Sequence, residues 1–146
     1  MKPFKFRLQT KLDISCREEQ QLREELQIRI LLRDKLQKEL DEIKSRLNEI
    51  ESAIKEMMVQ GFKMEQFLIL NNYLPIIGNM LADKEAGLFQ AEKAITETRN
   101  ILIDKIKERK TLQKLRDKEW SNYLLELNKE EQKTIDELAI NSHFRK

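Results

Sequence analysis

A heptad dominates the first part of this chain. Alternating steps of four and three from Leu8 land on Leu12, Leu22, Leu26, Leu36, Leu40, Ile43, Leu47, Ile50, Ile54, Met57 and Met64. Apolar residues at that spacing form one narrow stripe on an α-helix, and such a stripe is buried by another helix that carries its own. Charged residues such as Glu39, Lys44, Arg46 and Glu49 fill the remaining positions and keep the other faces in water. Strands are poorly provided for, since Val occurs once, at Val59, and the 146 residues include only three glycines and two prolines. The pattern predicts an all-α chain and excludes a β-sandwich or an α/β fold.

The same walk also lands on Ser15, Glu19, Arg29 and Arg33, while nearby apolar residues stand at Ile28, Ile30, Leu31 and Leu32. A local shift of the seam, as at a stutter, is expected there. The first arm reads as a helix over about 4–60. Gly61 is the only glycine before Gly78 and suits a left-handed helix cap, which puts a turn at about 60–64. A competing break lies at Asn71-Asn72-Tyr73-Leu74-Pro75, where Pro75 removes a backbone donor and is expected to kink or end a helix, so the tip falls at 60–64 or at 71–78. The second arm runs from about Met80 to Ile140 through Leu81, Leu88, Ala91, Ile95, Leu102, Ile106, Leu112 and Leu115, and ends with Trp120, Leu124, Leu127, Ile135 and Leu138. An arm of about 60 residues is roughly 90 Å long. The simplest way to bury both stripes is a single long two-stranded antiparallel coiled-coil hairpin over residues 1–146, with a short tail.

Several function classes fall away. A two-helix hairpin encloses no water-free pocket in which catalytic groups could converge, so no enzyme activity and no catalytic residue are expected. Glu18/Glu19, Glu24/Glu25 and Glu130/Glu131 read as solvated helix-face charges. One cysteine, Cys16, and one histidine, His143, make neither a disulfide nor a Cys/His metal cluster, so no metal and no cofactor are expected. Arg99 to Lys118 carries eight basic against three acidic residues, but without interleaved aromatics, and an acidic protein partner suits it better than nucleic acid. The apolar stretch Phe67 to Leu81 is broken by Asn71, Asn72, Pro75 and Asn79 and is too short to cross a bilayer. The basic start lacks an apolar segment of the signal-peptide kind, and a reducing cytosol is expected.

Two features exceed a plain solvated coil. Phe67-Leu68-Ile69-Leu70 with Tyr73, Leu74, Ile76, Ile77, Met80 and Leu81 crowd apolar side chains onto more faces than one partner helix covers, so part of them should be exposed. Trp120 and Tyr123 stand near the charged end Glu130 to Glu137, which reads as a free end made for a socket.

The chain ends carry a resemblance. Phe4-Lys5-Phe6-Arg7-Leu8-Gln9 with Leu12-Asp13 and Glu18-Glu19, then Leu115-Arg116-Asp117-Lys118 with Tyr123 and Glu131-Gln132-Lys133-Thr134-Ile135-Asp136-Glu137, resemble the FliJ family, stalk proteins of the flagellar type III export apparatus. The likeness implies an antiparallel coiled coil similar to the central shaft of rotary ATPases, whose two chain ends enter the hexameric ring of the export ATPase. It would set Phe6, Arg7, Leu8 and Leu12 with Glu131, Gln132, Lys133, Asp136 and Glu137 near the bore of that ring. The opposite half would meet the cytoplasmic domain of the export gate, through Tyr73, Ile77 and Met80, and would cycle substrate-free export chaperones. In the first-arm stretch that the family uses for the gate, Ser45 and Glu49 stand here without matching aromatics. The implied location is the cytoplasm, peripheral to the inner face of the cell membrane at the flagellar base, without membrane insertion. The alternatives are a virulence type III secretion stalk and a cytosolic scaffold coiled coil with no ATPase partner.

Overall fold

The computed structural model describes residues 1–145. Two helices make it up, α1 over Gln9–Gln60 and α2 over Met64–Phe144, and no strand occurs among the described residues. The helices pack against each other as an all-α helical hairpin.

The first helix begins at Gln9 rather than at about 4, because residues 1–6 form no helix and Arg7-Leu8 make a turn into it. Phe4 and Phe6 both pack inward: Phe6 is buried with Leu12 and Leu112, and Phe4 packs beside this cluster. The Gln9 amide then donates to the Phe6 carbonyl at 3.1 Å and the Leu12 amide to the Leu8 carbonyl at 2.9 Å, which starts the helix.

At the other end of α1, Gly61 adopts a φ of 86° and its amide donates to the Met57 carbonyl at 3.0 Å. That is a left-handed cap, which only glycine adopts without strain. The connection is therefore Gly61 to Lys63, and the break expected around 71–78 does not form. The second helix begins at Met64 rather than Met80 and runs through Asn71, Asn72 and Pro75. Pro75 is exposed while Leu70, Leu74, Ile77 and Leu81 keep to the packed side. Continuity along that side holds the helix across the one donor that proline removes.

The two glycines Gly61 and Gly87 should respond to alanine with opposite signs. Neither would bring a new Cβ within 4 Å of anything. Gly61→Ala forces a side chain into the left-handed region and should destabilise by about 1 kcal/mol, whereas Gly87→Ala, inside α2, should stabilise by about as much. Urea unfolding of both variants checks this, and a shift in the same direction for both would overturn the cap.

The buried residues follow a strict heptad on both helices. On α1 they are Leu12, Ser15, Glu19, Leu40 and Ile43, and on α2 Ile77, Ile95, Thr98, Leu102 and Leu112. Cross-helix pairs fix an antiparallel register: Lys84 Nζ donates to Glu39 at 2.5 Å, Lys105 Nζ to Glu18 at 2.6 Å, and the Arg109 guanidinium to Glu19. The expected stutter is absent. Arg29 and Arg33 stay at seam positions, half-buried and paired along α1 with Glu25 and Asp34; of the four apolar residues Ile30 is half-buried beside the seam, while Ile28, Leu31 and Leu32 are left outside. The unbroken heptad of α2 explains this: a shifted α1 seam would turn Glu19 and Leu40 away from the register that α2 imposes.

By contacts the chain divides into two units. One holds Met1–Gln21 with α2 from Leu102 onward, the other Leu22–Ile101, and each has its own pairing of α1 with α2.

Candidate functional site

The unit that contains both chain ends is built around Phe6, Leu12 and Leu112, which are nearly solvent-free, with Phe4 and Leu8 packed on them. Beside this core the non-helical start packs on α2. Phe4 meets Trp120 edge-on at 5.1 Å between ring centres and Tyr123 at 5.5 Å, while Trp120 and Tyr123 stack at 5.6 Å. The Tyr123 hydroxyl donates to the Lys2 carbonyl at 3.0 Å. The aromatic pair read from the sequence as socket-bound is therefore a clasp for the first residues of its own chain, although Trp120 keeps 44% of its surface in solvent. A groove of about 440 Å³ lined by Met1 to Lys5 and Tyr123 borders the clasp.

A polar layer lies below the apolar cluster. Ser15 is 2% exposed and its hydroxyl has no hydrogen-bond partner, and Glu19, four residues on, is 6% exposed and receives the Arg109 guanidinium. Beside them Lys105 joins Glu18, and that hydrogen bond, helped by the nearby Glu108, raises the ammonium above the ordinary lysine range against its partial desolvation. In the other unit the hydrogen bond from Lys84 lowers the Glu39 carboxyl. Both pairs favour the folded chain through neutral pH: the Glu39 contribution fades as pH falls through its lowered value, and the Lys105 contribution as pH rises through its raised one. Lys105 and Arg109 belong to the basic stretch Arg99 to Lys118, so part of the charge that suggested an acidic partner is taken by α1.

The residues singled out for an ATPase ring divide into two kinds. Phe6 and Leu12 are buried and Leu8 is half-buried, so they hold the hairpin's own ends together. Arg7, Glu131, Gln132, Lys133, Asp136 and Glu137 are exposed. Every described residue from Asn128 onward is exposed, including Ile135, Leu138 and Ile140, so the stripe expected to end at Leu138 has lost its partner helix before it gets there. Of the residues singled out for the export gate, Tyr73 and Met80 are exposed, but Ile77 is 1% exposed and belongs to the seam. Sequence reasoning missed the cross-helix charge pairs. Their signal was a charged residue on the walk itself, at Glu19 in α1 and at the matching steps Lys84, Lys105 and Arg109 in α2.

Cys16 is free and exposed, and no helix among the described residues is long and apolar enough to cross a membrane.

The family model described as Flagellar FliJ protein matches residues 4–146. The chain belongs to the FliJ family. It is thereby a component of the flagellar protein export apparatus, and the family is one of export proteins, not a known family of enzymes. No curated protein and no solved structure gives a significant match. The FliJ-family match runs through both chain ends, and so through Phe4, Trp120 and Tyr123 of the clasp.

Proposed function

We propose that this FliJ-family chain is the stalk of the export apparatus, whose paired ends enter the hexameric ring of the export ATPase, promote its assembly and raise its turnover. The observation that carries the reading is the joining of the two ends in one unit, from which the last turns of α2 run on with every side chain exposed. That free stretch offers Glu131, Gln132, Lys133, Asp136 and Glu137 in line with Ile135 and Leu138, and Arg7 adds a positive charge at the other end of the chain. A polar bore with a few apolar contacts is what such a surface complements. The role needs shape and charge and no catalytic group.

The other unit, on this proposal, links the ring to the cytoplasmic domain of the export gate and to substrate-free export chaperones. Tyr73 and Met80 supply its gate contacts, with Ile77 as their packed support. The protein then works in the cytoplasm, held peripherally at the inner face of the membrane by its partners.

The test is co-purification with the cognate ATPase and turnover in its presence. A chain ending at Glu130 should keep its hairpin, because nothing it loses is buried, but should no longer bind or stimulate the enzyme. Full binding and stimulation by that shortened chain would remove the stalk reading.

A further inference from the structure

Outside the proposed ring and gate contacts, one stripe is apolar where a solvated hairpin should be charged. With the α1 seam at heptad positions a and d, Ile28 is at c and Leu31 at f, the line that points directly away from α2, and Leu32 at g flanks it. They are 67%, 59% and 52% exposed. Nothing among the described residues covers them, since α2 lies on the opposite side of the helix. The same outer line is bounded by Glu24 at f and Lys35 at c, both exposed.

The order of these four residues suits one occupant. Glu24, Ile28, Leu31 and Lys35 are separated by steps of four, three and four, the spacing of a coiled-coil seam. Against an antiparallel copy of itself, the line sets Ile28 beside Leu31 and Glu24 beside Lys35, and by two-fold symmetry each contact occurs twice. A parallel copy in register would set Glu24 against Glu24 and Lys35 against Lys35. The charges thus favour one orientation and penalise the other.

We propose that the outer face of α1 between Glu24 and Lys35 is a self-association surface, through which two copies of this chain pair antiparallel. With about a dozen residues per copy the contact is below the size of a stable interface, so the association is weak and transient, and becomes visible at roughly 100 µM. It is independent of the ATPase and gate contacts, which use other residues.

Sedimentation equilibrium of the full chain from about 5 to 500 µM, in a Cys16→Ser background to exclude disulfide dimers, tests it. The expected result is a reversible monomer–dimer equilibrium. Glu24→Lys, which opposes Lys to Lys twice, should weaken dimerisation roughly tenfold. Glu24→Lys combined with Lys35→Glu should restore it, and Leu31→Glu should abolish it with helicity unchanged. A chain that stays monomeric throughout overturns the proposal and leaves the stripe to a different protein. Dimers that persist in Leu31→Glu, or that the charge-swapped double variant fails to recover, overturn it as well.

Discussion

Leu40→Asp should unfold the seam between α1 and α2. Leu40 is 3% exposed at a position that α2 covers, in the unit Leu22–Ile101, and it lies beside the Glu39–Lys84 pair. The substitution removes a buried side chain, worth about 2–5 kcal/mol, and adds a carboxylate with no partner, which costs several more. A total stability on the order of 5–15 kcal/mol cannot absorb that loss with much to spare. Helicity followed by circular dichroism should fall at a thermal midpoint more than about 10 °C below that of the parent chain. Lys44→Ala, four residues away and exposed, should stay within about 0.5 kcal/mol of it. Trp120, the single tryptophan, lies in the other unit and reports separately on the clasp with Phe4. An unchanged midpoint for Leu40→Asp would show that the seam runs elsewhere.

Arg109→Ala should destabilise less, and by a different route. It removes the guanidinium that spans the seam to the Glu19 side chain, 8% exposed, and the loss of one charged hydrogen-bond partner there costs about 1.5–3 kcal/mol. Replacing both partners with leucine should recover most of that loss, because the pair's own net worth is small once its desolvation is counted. The recovered chain should nevertheless be less definite in register. With Glu19 and Arg109 both apolar, the polar layer next to Ser15 no longer distinguishes one pairing of the arms from a pairing slipped by a heptad. A double variant as unstable as Arg109→Ala alone would mean that Glu19 is held mainly by other groups.

How much of this could be read in advance depended on which residues carried the information. The hairpin followed from the Leu8-to-Met64 walk and from the scarcity of glycine and proline, because a heptad constrains backbone and packing together. Gly61 identified one turn, but sequence alone could not rank it against Pro75. The ranking depends on whether flanking apolar residues stay in phase across the proline, and Leu70, Leu74, Ile77 and Leu81 do. The supposed stutter at Ile28 to Leu32 failed for a related reason: one helix's pattern was read without the register imposed by the other. At the candidate site, the exposed charges from Glu131 to Glu137 were legible from composition. That Phe6 and Leu12 turn inward depended on the non-helical start folding onto α2, a tertiary event with no local signature.

The length difference between the helices, 52 residues against 81, has a thermodynamic consequence at the far end of α2. Nucleation, the costly step of helix formation, has already taken place in the packed part, and the turns after Leu127 need only propagate from it. Propagation without tertiary contacts is close to neutral per residue, so little free energy opposes a shift of the boundary between helix and frayed end. Anything that grips Ile135 or Leu138 would draw this boundary outward, and the energy of gripping would appear in part as newly formed backbone hydrogen bonds. Amide exchange should therefore be graded, slow at Leu112 and faster with each turn towards Phe144, and a bound partner should flatten that gradient before it changes exchange anywhere else.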